Sequence, residues 1–105
     1  MIGVLREELI LLAPVRIPDQ GGGFDIQYSV HDTVRTRSET RGSVFDNVGG
    51  RRAGGQTRLF TLRYRDDLVY EMRLEHTGRR YRITDIREED DRKRYHFVTG
   101  EEVRP

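Results

Sequence analysis

The sequence predicts an all-β protein, a small antiparallel barrel of about six or seven strands with one long flexible loop. Three observations carry that expectation. Apolar and polar residues alternate with a period of two in several separate runs, turn-forming residues fall between the runs, and no stretch holds the 3.6-residue spacing of an amphipathic helix. A chain of 105 residues is enough for one core and too short for two, so residues 1–105 are expected to form a single domain.

The first element is Leu9 to Ile17, rich in Leu, Val and Ile but carrying Pro14, as suits an edge-like strand. It runs into Asp19 to Gly23, whose three consecutive glycines predict a flexible turn. Phe24, Ile26, Tyr28 and Val30 then alternate with Asp25, Gln27, Ser29 and His31, a clear strand signal. Thr33 to Thr40 continues with β-branched residues set between arginines, a strand with one solvated or ligand-facing side. From Gly42 to Gln56 the pattern breaks. Five glycines, Asp46 and Asn47 leave only Val44, Phe45, Val48 and Ala53 as apolar groups, and a long loop is expected there.

The second half reads as a meander. Phe60, Leu62 and Tyr64 alternate with Thr61 and Arg63, Arg65 to Asp67 turns, and Tyr70, Met72, Leu74 and His76 alternate with Glu71, Arg73 and Glu75. Thr77 to Arg79 centres on Gly78 and predicts a tight hairpin. Tyr81 and Ile83 share one parity and Ile86 the other, so a bulge near Thr84 and Asp85 is expected to restore the inward face. Glu88 to Arg92 turns again, and Tyr95 with Phe97 begins the last strand, the aromatics alternating as core residues do.

Composition sets limits on both core and partner. Leu, Ile, Val and Phe supply 27 residues, enough for a chain this charged to fold, but around a thin core. Nineteen basic and eighteen acidic side chains nearly cancel, which excludes a polycation that coats nucleic acid through net charge. The charge is unevenly placed: Val34 to Arg65 holds eight arginines and two acids, a local +6. All cations but Lys93 are arginine, whose forked guanidinium suits multidentate contacts with carboxylate or phosphate. The apolar run Leu9 to Ala13 follows Arg6, Glu7 and Glu8 and is far shorter than a membrane span, so a soluble protein made in the cytoplasm, without membrane contact, is expected.

No residue pattern points to catalysis, a cofactor or a metal. The chain lacks cysteine, which removes disulfides and thiolate zinc sites. His31, His76 and His96 share no ligand spacing, and structural or surface roles are expected for them. Ser29, Ser38 and Ser43 lie outside any Gly-x-Ser-x-Gly elbow. The paired acids Glu7-Glu8, Asp66-Asp67, Glu88 to Asp91 and Glu101-Glu102 read as solvated loop charges. Gly49 to Gly55 lacks the Gly-Lys-Ser/Thr ending of a phosphate-binding loop, and a mobile arm presenting Arg51 and Arg52 to DNA phosphates or a neighbouring subunit fits it better. Tyrosines 64, 70, 81 and 95 near arginines leave one alternative, a small β-barrel module that stacks single-stranded nucleic acid.

The order of these pieces is familiar: an apolar first strand, a Gly-rich turn before an aromatic alternating strand, a long loop, then TRLFTLRYRDDLVYEMRLEHTGRRYRITDIREEDDRKRYHFV. From Leu9 to Val98 it resembles the phage head-tail joining (head-closure, or stopper) family of siphophages and gene transfer agents. The resemblance rests on Thr57 to Tyr64 with its Arg-Tyr-Arg ending, Tyr70 to Leu74, Gly78 before Tyr81-Arg-Ile83, and Asp90, Arg92 and Tyr95; Tyr28 stands where that family commonly has tryptophan. It implies a non-enzymatic virion protein at the head-tail interface, assembled in the bacterial cytoplasm as a ring of about twelve copies. The ring would lie between a portal-adaptor protein and a tail terminator or other tail protein, closing the channel that holds packaged double-stranded DNA. Val44, Phe45, Arg51 and Arg52 are then the candidates for the channel or intersubunit loop. Arg35, Arg37, Arg41, Asp66 and Asp67 are the candidates for charge pairing between subunits.

Overall fold

The computed structural model describes residues 4–48, 51–89, 92 and 94–103, with backbone alone over 42–48 and 51–55. Six strands, and no helix among the described residues, build it: β1 (Glu7–Pro18), β2 (Phe24–Val48), β3 (Arg51–Arg63), β4 (Arg73–His76), β5 (Arg79–Glu88) and β6 (Tyr95–Glu102). All neighbours are antiparallel, in the order β1-β2-β3-β6-β5-β4, and β4 returns to β1 through Ile10↔Glu75, Leu11↔Leu74 and Leu12↔Arg73 to close a barrel. Closure leaves no unpaired edge around the barrel itself.

Two turns follow directly from their residues. At Thr77-Gly78 both φ angles are positive, 49° and 79°, the geometry of a two-residue hairpin that matches strand twist. Between β1 and β2 the Asp19 carboxylate accepts the Gly21 and Gly23 amides, each at 2.9 Å, while its own N–H donates to the Gly23 carbonyl. Gly22 takes φ 86°, where a side chain would be strained. The expected bulge on β5 is present as a register shift between Ile83 and Asp85.

Inside the barrel, Leu9, Leu11, Phe60, Leu62, Met72, Leu74, Tyr81, Ile83 and Val98 form one buried cluster, with Val34, Leu68 and Ile86 packed against it. Phe60 meets Tyr81 edge-on, ring centroids 5.3 Å apart. Gly100 makes that possible. A Cβ there would lie 3.0 Å from the Tyr81 Cβ and 3.2 Å from the Phe60 ring.

Each end of the core is finished by a polar network. At one end the Glu7 carboxylate accepts from the Ser38 amide at 3.1 Å, the Ser38 hydroxyl at 2.9 Å and His76 Nε2 at 2.6 Å. Arg58 donates to the Ser38 hydroxyl at 2.8 Å. Burial opposes ionisation of Glu7, but the Ser38 and His76 hydrogen bonds outweigh it and hold its pKa below 4.5. At the other end Arg65 grips Asp67 through two bonds of 2.9 Å and Asp32 through one of 2.6 Å, and His31 Nε2 lies 2.7 Å from Asp67. The Arg65 bonds lower both carboxylate pKa values, and Asp67 foremost holds Arg65 more firmly protonated. His96, under Tyr64 with rings 4.6 Å apart, accepts the Arg65 amide on Nδ1 at 3.1 Å, and burial lowers its pKa against the opposing pull of Glu88.

Three expectations need correction. The segment Gly42 to Gln56 is not a structureless loop: β2 and β3 run through it in register from Gly42↔Thr57 to Val48↔Arg51, as a two-stranded ribbon beyond the last rung shared with β6. Backbone pairing needs no apolar period, which is why the side-chain pattern hid it. The Tyr70 to His76 run is strand only from Arg73, because the Met72 amide turns back onto the Val69 carbonyl at 3.2 Å and Tyr70 reaches out to accept the Ile86 amide at 3.2 Å. Finally, alternation does not mean burial everywhere. Phe24, Ile26 and Val30 are exposed, since β1 and β2 continue past β4 as a second ribbon, and β6 turns His96, Val98 and Gly100 inward in place of Tyr95 and Phe97.

Candidate functional site

The arginines of β2 are placed by parity. Thr36 is fully buried, its hydroxyl donating to the Thr61 carbonyl at 2.8 Å, so Arg35, Arg37, Glu39 and Arg41 fall on the outer side. Ladder register then lays two rows across four strands. One reads Arg37, Thr61, Phe97, Arg87, and the next Glu39, Leu59, Thr99, Asp85. With Arg41 they enclose a shallow hollow of about 550 Å³, floored by Leu59, Phe97 and two threonines and rimmed by charges of both signs. Arg41 pairs with Glu39 at 3.3 Å and Arg87 with Asp85 at 2.8 Å, while Arg37 has no ion-pair partner among the described residues. A polar-rimmed, apolar-floored wall suits a protein surface.

Beside it lies a second cleft of about 680 Å³, lined by Val4, Leu5, Val34, Tyr64 and Tyr95 with Arg35, Arg63 and Arg65. No carboxylate lines it among the described residues, although Glu8 stands opposite Arg35 in the β1–β2 ladder. Arg65 is committed to Asp32 and Asp67, whereas Arg35 and Arg63 form no ion pair among the described residues.

The sequence candidates therefore separate. Arg35, Arg37 and Arg41 share one outer wall. Asp67 is already paired with Arg65 and in hydrogen-bond contact with His31 within the chain, while Asp66 is exposed with no ion pair among the described residues. Val44, Phe45, Arg51 and Arg52 lie on the β2–β3 ribbon, and their side chains fall outside the described residues. Arg63, Tyr95 and Phe97 were not legible as surface residues, because their exposure depends on which face of β3 and β6 the core claims.

One arrangement resembles catalytic machinery. Ser38 Oγ lies 3.5 Å from His76 Nε2, and Glu7 completes a serine, histidine and acid set. A nucleophile relay needs the acid on one ring nitrogen and the serine on the other. Here both face Nε2, Nδ1 is buried without a partner, and the Ser38 hydroxyl is already spent on Glu7 while accepting from Arg58. The set is a plug for the barrel end. The tyrosines do not form a stacking platform either: Tyr81 is in the core, Tyr64 covers His96, and the Tyr28 ring faces Arg73 at 5.0 Å. No group of three or more His, Cys, Asp or Glu side chains fit to hold a metal occurs among the described residues.

With a wall, a cleft and a ribbon but no reaction centre among the described residues, comparison with known proteins decides the class. Residues 1–103 match the phage head completion protein family. The chain belongs to that family. Its members are structural phage head proteins and not enzymes, and the virion is where such a protein resides. The fold is similar to that of a chain in the virion of a native gene transfer agent particle, with a TM-score of 0.79 at 18 % identity over 97 % of this chain and 98 % of that one. It is similar also to protein SF1141 from Shigella flexneri 2a, solved in solution, with a TM-score of 0.69 at 19 % identity over 96 % and 95 % of the two chains. A comparison with curated proteins gives no significant match. The fold likeness shows the same small β-sheet architecture, and the family match shows a structural head protein.

Proposed function

We propose that this head completion protein forms a ring at the head-tail connector, below the portal and its adaptor, where it closes the DNA channel and presents a docking face to the tail. The observation that carries the proposal is the β2–β3 ribbon. Residues 43–48 and 51–56 extend beyond the barrel and, among the described residues, pair only with each other, apart from the Gln56 amide that donates to Glu102 at 3.2 Å. An arm of that kind gains contacts only from something outside its own subunit. Arg51 and Arg52 on it meet DNA phosphates or the next subunit, with Val44 and Phe45 as its apolar contacts. Arg35, Arg37 and Arg41 on the outer wall, and exposed Asp66, supply charge for the repeated head-to-tail contact; Asp67, held by Arg65, braces the loop that presents Asp66. Double-stranded DNA lies inside the ring, the adaptor above and the tail protein below.

Electron microscopy of particles produced without the gene tests this. The expected result is DNA-filled heads without tails, or heads that have leaked their DNA. Normal tailed particles would overturn the proposal.

A further inference from the structure

The β1–β2 ribbon leaves the barrel with two outer edges, and its residues treat them differently. Pro14 faces Tyr28 and Pro18 faces Phe24 across the ladder. A proline inside a ladder sits where its missing N–H would point away from the partner strand. By antiparallel alternation the outward-pointing backbone groups are then those of Pro14, Arg16 and Pro18 on β1 and of Phe24, Ile26, Tyr28 and Val30 on β2. The outer edge of β1 therefore offers one amide in three, which blunts it. The outer edge of β2 offers all four, with neither proline nor lysine in the run.

Among the described residues, β3 joins β2 only from Thr36 onward, and no turn carbonyl meets those four amides. The open stretch ends at His31 and Asp32, where Asp67 and Arg65 clasp the strand at 2.7 Å and 2.6 Å and Asp32 itself accepts the Thr33 amide at 2.8 Å. Between the Gly23 turn and that clasp lie the residues from Phe24 to Val30. Phe24, Ile26 and Val30 share one face and are each more than half exposed, while Tyr28 on the same face lies against Arg73 at 5.0 Å and Arg80 at 6.0 Å. The other face carries Asp25, Gln27 and Ser29. An unguarded strand edge with an apolar face takes another strand.

We propose that the strand it takes is the same segment of a second copy of this chain, antiparallel, about a two-fold axis at Gln27. This goes beyond the connector reading and does not rest on it. Register selects the occupant. With the two Gln27 residues facing each other, Phe24 of one copy meets Val30 of the other, Ile26 meets Tyr28 and Asp25 meets Ser29, so apolar groups face apolar groups and no like charges stand opposite. Centring on Asp25 would set two carboxylates together, centring on Tyr28 would set Phe24 against Asp32, and centring on Ile26 would set Val30 against Gly22, whose φ of 86° lies outside strand geometry. The pairing makes a four-stranded sheet with one barrel at each end and the proline-bearing β1 strands outermost, so it stops at two copies. Being isologous, it is spent within the pair and cannot repeat around a ring; it is the state of the chain off the particle.

Because the chain has no cysteine, single thiols report both contact and register without background. Asp25, Gln27 and Ser29 are exposed and aim their backbone groups at β1, so across the new ladder they form the closely spaced, non-hydrogen-bonded pairs that a disulfide can span. Under mild oxidation Gln27→Cys is expected to cross-link as a homodimer. Asp25→Cys and Ser29→Cys should each stay monomeric alone and cross-link when mixed. Ile26→Pro, which removes one outward amide and leaves the β1 ladder intact, should abolish the Gln27→Cys product, and so should Ile26→Lys, which keeps the amide but places a charge on the apolar face; circular dichroism checks that both variants stay folded. No Gln27→Cys dimer, equal dimer yields from Asp25→Cys or Ser29→Cys alone, or a yield indifferent to Ile26→Lys would overturn the pairing. That failure stays distinct from failure of the connector reading, because loss of tails on omitting the gene does not depend on how free copies pair.

Discussion

Replacing residues 43–56 by a two-residue Asn-Gly turn is expected to leave the barrel folded and to yield heads that do not retain their DNA. Gly42 and Thr57 already face each other across the β2–β3 ladder, so a two-residue turn joins them in register. The described members of the buried cluster, from Leu9 to Val98, all lie outside the removed segment. The barrel's unfolding midpoint should therefore move by less than about 5 °C, a change worth roughly 1 kcal/mol in a domain of this size. DNA retention should fall as far as in particles lacking the protein entirely, since an arm that serves the channel has no substitute within the barrel. Protein that folds, enters particles and still seals them would show that the ribbon has no part in closure.

Gly100→Val is expected to have the opposite profile, weakening the fold itself before any question of assembly arises. The added Cβ would stand 3.0 Å from the Tyr81 Cβ, an atom fixed to its own backbone and unable to swing away. The γ-methyls would press on the Phe60 ring and on Leu74, already at 3.2 Å and 3.5 Å from that Cβ position. Overpacking in a well-filled core costs about 3 kcal/mol, enough to lower a thermal midpoint by more than about 10 °C in a domain this small. Circular dichroism on heating measures it. Phe60→Leu, which removes the ring edge, should recover part of the loss in the double variant, and a midpoint unchanged by Gly100→Val would contradict the packing described above.

Much of this architecture can be read from the residues alone. An apolar run rich in Leu, Val and Ile locates β1, period-two runs locate the first part of β2 and β3, and the shift in parity between Ile83 and Ile86 locates the β5 bulge, because inward-facing apolar side chains leave their mark in the sequence. What stays hidden depends on which partner strand is present. Phe24, Ile26 and Val30 alternate as core residues do, yet no strand covers the ribbon that carries them. Gly42 to Gln56 has no apolar period, yet its backbone pairs as a hairpin. Gly100 looks like a turn residue near the end of the chain and is instead the space into which Phe60 and Tyr81 pack. In the candidate site, the basic character of Val34 to Arg65 was legible, but not that Arg35 and Arg37 would face outward beside Tyr95 and Phe97. That arrangement is set by ladder register across four strands, a non-local fact.

The central claim is that copies of this chain encircle the DNA exit with their β2–β3 ribbons turned inward, and a density reconstruction of the assembled particle at the head-tail junction tests it most directly. The account predicts a ring of six-stranded barrels there, each sending the β2–β3 ribbon toward the central axis. Barrels found elsewhere in the particle, or ribbons folded flat against their own subunits with an open channel beside them, would contradict it.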